Sequence, residues 1–301
     1  MVGPNVRHVR PPFVAGRFYP DDPVACRAQA RAFVAAPSQG EVSGPPIRGA
    51  IVPHAGWVCS GAIAGEAIAA ARTSAGLVDL VVVFGAIHTP IRVEYAALDC
   101  VHDAWAVPGS VIEALPGVPA KLLKDHAGVF ADDERLHRRE HAVEVELPLI
   151  REAWPDARLL AVETPPNDLA GQIGVRVAEA CAAEQLSAVF LASSDLTHYG
   201  PDYDFLPAGI GLSGLEWAKE NDRRLLRLVT EMQVEAIVPE AKRHFNACGA
   251  GAIAAMLAAA RHFGARSATV LRHASSYETL ARVLPQREAD NAVGYAAVVV
   301  S

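Results

Sequence analysis

The sequence is poor in aromatic residues, methionine and cysteine. Phe, Trp and Tyr make up only 6% of the 301 residues, and three residues are Met, so small aliphatic side chains must fill most of the core. The five cysteines stand apart as Cys26, Cys59, Cys100, Cys181 and Cys248, and no two of them form a Cys-x-x-Cys pair. An odd, scattered set argues against a disulfide framework and a zinc ribbon, and favours a reducing cytoplasmic setting.

The chain also lacks an excess of positive charge and long apolar runs. Its formal net charge is -7 at pH 7, which argues against an extended nucleic-acid surface and gives no support for binding to anionic membranes. The apolar runs are too short to span a bilayer, and the segment from Met1 to Pro20 lacks the apolar core of a secretory signal. We therefore expect neither nucleic acid nor a membrane among the partners.

Common catalytic signatures have little or no support as well. The Gly-x-Gly-x-x-Gly match at residues 209–214 follows no predicted strand, and the sequence has no P-loop, so nucleotide binding is not supported. Ser193 and Ser194 lie outside any Gly-x-Ser-x-Gly turn, so a serine hydrolase triad is not supported either. With 51% hydrophobic and 20% charged residues, the composition fits a globular chain, which we interpret as one domain over residues 1–301.

Strand-like and helix-like segments alternate along this chain. Residues 47–53, 79–87 and 187–193 are continuous apolar runs, as in strands that are covered on both faces of a parallel sheet. Further strands are predicted at 159–162, 268–271 and 293–300, and helices at 61–73 (capped by Ser60), 140–154 (broken near Pro148), 168–184, 215–230 and 249–262. This order predicts an α/β fold, with a central and mostly parallel sheet flanked by helices.

Polar residues stand directly after three of the predicted strands. His54, His88 and the pair Asp195 and His198 each follow an apolar run. Because ligands of open α/β sheets bind at the carboxyl ends of the strands, these side chains are expected at one edge of the sheet. Imidazole is the commonest metal ligand, so a metal site is one interpretation, and polar turn residues are the other.

Cys248 directly precedes the predicted helix 249–262. A thiol at a helix N-terminus tends toward the thiolate that binds metal, whereas most free cysteines are small buried hydrophobes. We assign Cys26, Cys100 and Cys181 to the second class. Asp195 lies three residues before His198, and there it can orient that histidine, bind a metal or cap a turn.

A cluster of charged residues surrounds His141. His141 and Glu144 have the i, i+3 spacing of one helix face, which more often gives a solvated contact than a site, so both are candidates only for support around the site. His137, beside Arg138 and Arg139, is predicted to be solvated surface.

Six short motifs, in order along the chain, resemble the Memo family, also known as protein B of the AmmeMemoRadiSam set. They are Ala-Gly-Arg-Phe-Tyr-Pro at 15–20, Pro-His-Ala-Gly-Trp at 53–57, Gly-Ala-Ile-His-Thr at 85–89, Glu-His-Ala-Val-Glu-Val-Glu-Leu-Pro at 140–148, Ser-Ser-Asp-Leu-Thr-His at 193–198 and Asn-Ala-Cys-Gly at 246–249. The resemblance implies an architecture like that of class III extradiol (LigB-like) dioxygenases, which hold non-haem iron(II) at a sheet edge. It also implies a functional link to AMMECR-like and radical SAM proteins.

The same resemblance assigns roles to the candidate residues. It implies that His54, His88 and Cys248 bind the metal, that Asp195 is a nearby site residue, and that His198 is the acid/base. Iron(II) is the implied cofactor. Copper(I) and zinc(II) are the alternatives, because a thiolate stands where the dioxygenases have a carboxylate.

The chain departs from the family pattern beside the first histidine. Trp57 and Cys59 stand where the family often has tyrosines, and Ala86-Ile87 replaces a Pro-Ser or Pro-Asn pair. These changes predict a more apolar pocket, while the alternative is that Trp57 and Cys59 only pack against the following helix.

The predicted function is that of an O2-dependent oxidoreductase acting on a phenolic or catechol-like small molecule. One alternative is a non-catalytic scaffold that holds copper, iron or a peptide in its cleft. Another is a zinc hydrolase, with metal-bound water as the nucleophile.

Overall fold

The computed structural model describes residues 7–35, 44–281, 283–285 and 288–301. The strands are β1 (Val9–Arg10), β2 (Gly49–Val52), β3 (Leu80–Gly85), β4 (Ala96–Leu98), β5 (Ala104–Val107), β6 (Ser110–Glu113), β7 (Phe130–Asp132), β8 (Arg158–Glu163), β9 (Ala188–Ser193), β10 (His198–Tyr199), β11 (Ala268–Ser275) and β12 (Ala292–Val300). The helices are α1 (Pro23–Val34), α2 (Trp57–Ala75), α3 (Gly117–Asp125), α4 (Leu147–Ala153), α5 (Ala170–Ala183), α6 (Leu212–Thr230), α7 (Val234–His244), α8 (Ala250–His262) and α9 (Ser276–Leu280). Short 3-10 turns lie at Glu134–Leu136, Glu144–Glu146 and Pro201–Tyr203.

A large sheet forms the centre of the molecule, in the order β10-β12-β2-β9-β3-β8-β4-β7, with β11 also paired to β12. The four central strands β2, β9, β3 and β8 run parallel to one another. β12 joins β2 and β4 joins β8 in antiparallel fashion. The strands β1, β5 and β6 form a separate small sheet. The predicted α/β fold, with a large central sheet flanked by helices, is confirmed; the sheet is mixed, with parallel strands at its centre and antiparallel pairings on both sides of them.

Alternation along the central strands divides the core between the two faces of the sheet. In β3, Leu80, Val82 and Phe84 pack into one hydrophobic cluster with α3, α5, α6, α7 and α8. Val81 and Val83 enter the opposite cluster, with α1, α2 and α4. Because side chains of a strand point alternately to its two faces, a strand that is covered on both sides is apolar throughout, as the sequence predicted.

Small residues allow the helices to pack closely, and this explains why so few aromatic residues suffice. α8 is almost entirely alanine and glycine in its first half, and α8 contacts α5 over its length. A Cβ at Gly174 of α5 would collide with the carbonyl oxygen of Ala255 in α8. A larger residue at position 174 would therefore push the two helices apart.

Two helix starts differ from the sequence prediction. α2 begins at Trp57 with Gly56 as its N-cap, and the Ser60 hydroxyl lies inside the first turn, where it donates to the carbonyl of Ala55. Instead of one helix over 140–154, the chain forms the 3-10 turn Glu144–Glu146 and then α4. Pro148 lies in the first turn of α4, where its missing N–H costs no hydrogen bond.

Two of the three cysteines predicted to be buried are buried. Cys26 and Cys181 lie in the core, while Cys100 is exposed in the loop after β4. Among the helices of the described ranges, none is both long and apolar enough to cross a bilayer.

A buried arginine ties the N-terminal segment to residues 137–144. Arg10 is 1% exposed, and its guanidinium lies 4.2 Å from the Trp105 ring centre. It donates to the carbonyl of His137 at 3.0 and 2.7 Å, to the carbonyl of Glu140 at 2.9 Å and to the Glu144 carboxylate at 2.7 Å. His137, which was predicted to be solvated, is fully buried, because its carbonyl and its ring both find partners inside.

Glu144 completes this connection. Its other carboxylate oxygen accepts the backbone N–H groups of Phe13 and Val14, each at 2.7 Å, and the hydroxyl of Tyr19 at 3.0 Å. The prediction that Glu144 lies on a solvated helix face is wrong, because the residue lies in a 3-10 turn and is fully buried. Glu144 therefore fixes the N-terminal segment rather than contacting the histidine cluster described below.

Glu163, at the end of β8, is a buried acid without a hydrogen bond to its carboxyl oxygens. Its Oε1 lies 3.6 Å from Nδ1 of His137, and both side chains are fully buried. Burial raises the pKa of Glu163 from 4.5 to about 7, against the lowering effect of His137. Because the folded protein holds this proton more tightly than the unfolded chain, the stabilisation is complete below pH 4.5 and is lost as the pH rises to about 7.

Replacing Glu163 with glutamine should remove this pH dependence. From the shift in pKa, the wild-type free energy of unfolding should fall by about 3 kcal/mol between pH 4.5 and pH 8 on account of this group. Glu163→Gln should match the wild type near pH 5 and exceed it at pH 8, in urea unfolding at both values. Glu184→Gln, which changes an exposed glutamate, is the control. If the free energy of unfolding changes equally with pH in the wild type and in Glu163→Gln, the prediction is wrong.

Candidate metal centre

Three imidazole rings meet at the carboxyl edge of the central sheet. His54 follows β2, His88 follows β3, and His141 lies in the segment before the 3-10 turn at Glu144–Glu146. The ring centres are 5.0 Å apart for His54 and His88, 5.2 Å for His54 and His141, and 4.6 Å for His88 and His141. One ring nitrogen from each lies within 4.8 Å of the others. This histidine cluster can hold a metal ion, because neutral imidazole nitrogens are common metal ligands.

The hydrogen bond of Ser193 determines which nitrogen of His54 carries its proton. The Ser193 hydroxyl donates its single proton to the carbonyl of Ala142 at 2.6 Å. It must then accept from Nδ1 of His54, at 2.9 Å. Nε2 of His54 therefore keeps its lone pair, which can bind a metal. In metal sites, a hydrogen bond from the non-ligating nitrogen commonly fixes the tautomer of a histidine ligand in this way. Burial, followed by the nearby His88 and His141, lowers the pKa of His54, so its ring is neutral.

One carboxylate serves the other two histidines. Oε1 of Glu140 lies 2.9 Å from Nδ1 of His88 and 3.1 Å from Nδ1 of His141, and Oε2 accepts the backbone N–H of His88 at 2.6 Å. Burial alone would raise the pKa of Glu140, but its hydrogen bonds to His141 and His88 hold it well below the usual range. The ionised carboxylate therefore accepts from both Nδ1 atoms. Burial lowers the pKa of His88, but its hydrogen bonds to Cys248 and Glu140 raise it to about 11, so a metal that binds this ring must displace a proton.

Glu140→Gln should weaken metal binding by roughly 10–100-fold, the usual effect of losing an outer partner of a histidine ligand. A glutamine has one acceptor oxygen in place of two, and its NH2 group cannot accept from an imidazole. Competition with a chromophoric chelator for Zn²⁺ or Co²⁺ measures the change. Glu134→Gln, which removes a surface partner of Arg138, is the control. Equal affinities for Glu140→Gln and wild type would show that Glu140 does not orient the ligands.

Cys248 lies at the border of the histidine cluster. Its Sγ is 3.3 Å from Nε2 of His54 and 3.5 Å from the carbonyl oxygen of Asp195. As predicted, the residue stands immediately before α8, whose N-cap is Gly249. The structure thus brings together His54, His88 and Cys248, the three ligands that the sequence suggested. That the thiolate binds a metal stays a prediction.

Cys248→Ala should lower the affinity for Zn²⁺ and Cu⁺ by more than the roughly 10–100-fold effect of losing an outer partner, because a thiolate is the preferred ligand of soft metals. With Co²⁺ bound, the sulfur-to-cobalt charge-transfer absorption should disappear in this variant. Cys100→Ala, which removes an exposed cysteine, is the control. Full affinity and an unchanged spectrum in Cys248→Ala would exclude Cys248 as a ligand.

Asp195 and His198 are placed by different partners from the expected ones. Oδ1 of Asp195 accepts the backbone N–H of His54 at 2.9 Å, and burial raises the pKa of Asp195 to about 7. The ring of His198 is held by the carbonyl of Leu196, 3.0 Å from Nδ1. Because a carbonyl only accepts, Nδ1 of His198 carries the proton and Nε2 can accept one. Burial lowers the pKa of His198, so this ring is a neutral base at pH 7.

His141 is the member of the cluster that the sequence did not place there. The expectation was a helix with His141 as indirect support, but residues 140–143 form no regular helix, and the ring contacts those of His54 and His88 directly. The available signal was the neighbour Glu140, since adjacent carboxylate and imidazole groups are typical of ligand support.

Trp57 is a packing residue, one of the two roles that the sequence left open. It is 3% exposed, its Nε1 donates to the carbonyl of Val145 at 3.2 Å, and its ring centre lies 5.5 Å from Tyr19 and 5.7 Å from Phe33. Cys59, two residues further along α2, forms a hydrogen bond with the side chain of the buried Tyr295.

The sequence matches known proteins over nearly its whole length. The profile of the Memo-like protein family matches residues 10–299. A "MEMO1 family protein" from Methanococcoides burtonii is 32% identical over 297 residues, which are 97% of this chain and 100% of the relative. Another from Thermococcus onnurineus is 30% identical over 299 residues, 97% of this chain and 99% of the relative.

A third relative, a "MEMO1 family protein" from Methanosarcina barkeri, is 30% identical over 302 residues, covering 97% of this chain and 100% of its own. Each of these three alignments therefore covers nearly the full length of both sequences. On the family match and these full-length relatives, the chain belongs to the Memo-like protein family.

Proposed function

We propose that the protein is an O2-dependent oxidoreductase with a non-haem iron(II) site like that of the extradiol dioxygenases, acting on a phenolic or catechol-like small molecule. The observation that carries the proposal is the histidine cluster, in which each Nδ1 atom has a partner outside the cluster and one ring nitrogen of each histidine lies within 4.8 Å of the others. When bound there, iron(II) would supply open positions for a phenolate oxygen and for O2.

The donor set fits a transition metal. Imidazole nitrogens suit iron, copper and zinc alike, whereas Mg²⁺ and Ca²⁺ prefer oxygen ligands. His54, His88 and His141 would hold the metal, and Cys248 would add a thiolate from the start of α8. Asp195 supports the site through the backbone of His54 rather than through a ring.

His198 supplies the base that a phenolic substrate requires. Its Nε2 atom accepts protons because Nδ1 donates to Leu196, and its lowered pKa keeps the ring neutral at pH 7. His198 and Cys248 line the same groove, so a phenol bound at the histidine cluster would have its hydroxyl within the reach of this base.

The thiol beside His54 favours a second candidate function, since sulfur ligands select copper(I) and zinc(II) over iron(II). A copper-holding or peptide-holding scaffold would need the ligands but not the base. A zinc hydrolase would use metal-bound water as the nucleophile. Our proposal includes a cytoplasmic location, supported by the five free cysteines.

Anaerobic purification followed by metal analysis and an oxygen electrode distinguishes the three functions. We expect iron to be retained, and O2 to be consumed when a catechol is added. Tight copper without turnover would reject the oxidoreductase in favour of the scaffold. Retained zinc with cleavage of an ester or amide would reject it in favour of the hydrolase.

A further inference from the structure

A groove with aromatic walls leads away from the candidate metal centre. His198 and Cys248 form its inner end, and Tyr203, Phe205 and Phe245 are in its lining. The groove encloses about 540 Å³, which lies in the range of small-molecule sites, roughly 300–1,000 Å³. Because Cys248 Sγ also lies 3.3 Å from Nε2 of His54, the groove borders the histidine cluster, and it is large enough to hold a substituent of a ligand bound there.

The rings of the groove are arranged in edge-to-face pairs. Phe205 and Phe245 have ring centres 5.7 Å apart at 64°, and His198 and Tyr203 have theirs 5.0 Å apart at 82°. Phe205 is also held from behind by Trp217, at 5.6 Å. A further aromatic ring in the groove could add contacts of the same edge-to-face kind, which stabilise beyond the burial of apolar area alone.

Phe245 has a position that folding alone does not favour. Its side chain is 66% exposed, and its backbone has a φ of 54°, in the left-handed region that phenylalanine seldom adopts. An Asn or Gly would end α7 at lower conformational cost. Apart from its edge-to-face contact with Phe205, this large apolar ring is largely exposed, so an apolar group in the groove would bury it further.

The charge of the groove selects against anions. Asp204 is the one charged residue among the described side chains that line it, and no Lys or Arg is present in that lining. Asp204 also has a left-handed backbone, with φ 50°. A carboxylate or phosphate entering here would meet a like charge and apolar walls without a cation to compensate.

We propose that this groove binds an uncharged aromatic substituent of the ligand held at the histidine cluster, and that it discriminates against ligands with an anionic substituent. The identity of the ligand rests on the proposed function, but the selectivity of the groove does not. It follows from the three rings, from Asp204 and from the opening of the groove at Cys248. It can therefore be tested in metal-free protein.

The test uses the thiol of Cys248 as a reporter at the inner end of the groove. Metal-free protein is reacted with N-phenylmaleimide, N-methylmaleimide and N-(2-carboxyethyl)maleimide, and mass spectrometry follows the Cys248 peptide. Each rate is divided by that of free glutathione, which removes the intrinsic reactivity of the reagent. We expect the phenyl reagent to be favoured over the methyl reagent by about tenfold, as partial burial of a ring predicts, and the carboxylate reagent to be disfavoured.

Two substitutions suited to left-handed backbone assign the selectivity to residues. Phe245→Asn should bring the ratio of phenyl to methyl rates close to one, with the methyl rate unchanged. Asp204→Asn should raise only the carboxylate rate. Leu77→Ala, which changes an exposed apolar residue between α2 and β3, should change neither ratio.

Equal normalised phenyl and methyl rates in the wild type would overturn the proposal, as would a ratio that Phe245→Asn does not change. Failure of all three reagents to label Cys248 would overturn it too, because a groove that opens at Cys248 must admit them. Absence of O2 consumption with catechols would reject the proposed oxidoreductase, yet it would leave the labelling ratios, and hence the groove, as they are.

Discussion

His54→Ala should lower the metal affinity by well over a hundredfold, the largest effect that we expect from a single substitution. Loss of an outer partner of a ligand costs roughly 10–100-fold, and this change removes a ligand itself. His54 is also 2% exposed, and its Nε2 lies 3.3 Å from Cys248 Sγ, so the variant loses the imidazole that lies beside the candidate thiolate.

Chelator competition with Zn²⁺ and Co²⁺ measures this loss, and His262→Ala, an exposed histidine at the end of α8, is the matched control. The melting temperature of each metal-free variant shows whether the fold is kept. Wild-type affinity in a folded His54→Ala protein would exclude the histidine cluster as the metal site.

His198→Gln should keep the metal and lower turnover by roughly 10²–10⁴-fold, the usual contribution of a general base. Glutamine preserves the side-chain bulk and can still donate to the Leu196 carbonyl, but it cannot take up a proton. The lowered pKa of His198 has a further consequence with a definite sign. The neutral base persists to pH values below 6.5, and the rate should decline only as the pH falls further and the ring becomes protonated.

Metal content, Kd for the metal and the pH profile of O2 consumption check this prediction together. His126→Gln changes a histidine after α3 and should leave all three unchanged. Loss of the metal in His198→Gln would instead make His198 a ligand. Unchanged turnover with the metal bound would remove its role as a base.

The fold was predictable because buried parallel strands leave an unambiguous pattern. Residues 79–87 and 187–193 have apolar side chains on both faces, and the structure forms β3 and β9 within them. The short strands β1, β4–β7 and β10 and the helices α1, α3, α7 and α9 were not predicted. The strands and the helices α3 and α9 are too short for their hydrophobic pattern to distinguish them from loops, whereas α1 and α7 are long enough to have been recognised.

The candidate site was predictable where it depends on strand ends, and not where it depends on the loop before α4. His54 and His88 follow strands and therefore reach the sheet edge. His141 reaches it because Arg10, far away in the sequence, holds the carbonyls of His137 and Glu140. A contact between residues 127 positions apart leaves no local periodicity, so sequence patterns could not reveal it.

The position of β2 in the sheet bears on how the protein is made in the cell. Its two neighbours, β9 and β12, lie at residues 188–193 and 292–300, so during synthesis β2 emerges long before either partner exists. One edge of this apolar strand has no partner until β9 has been made, and the other has none until β12 leaves the ribosome, and strands with unpaired edges are prone to aggregate. Slow translation or truncation before β12 should therefore lower the soluble yield far more than changes at the metal ligands do.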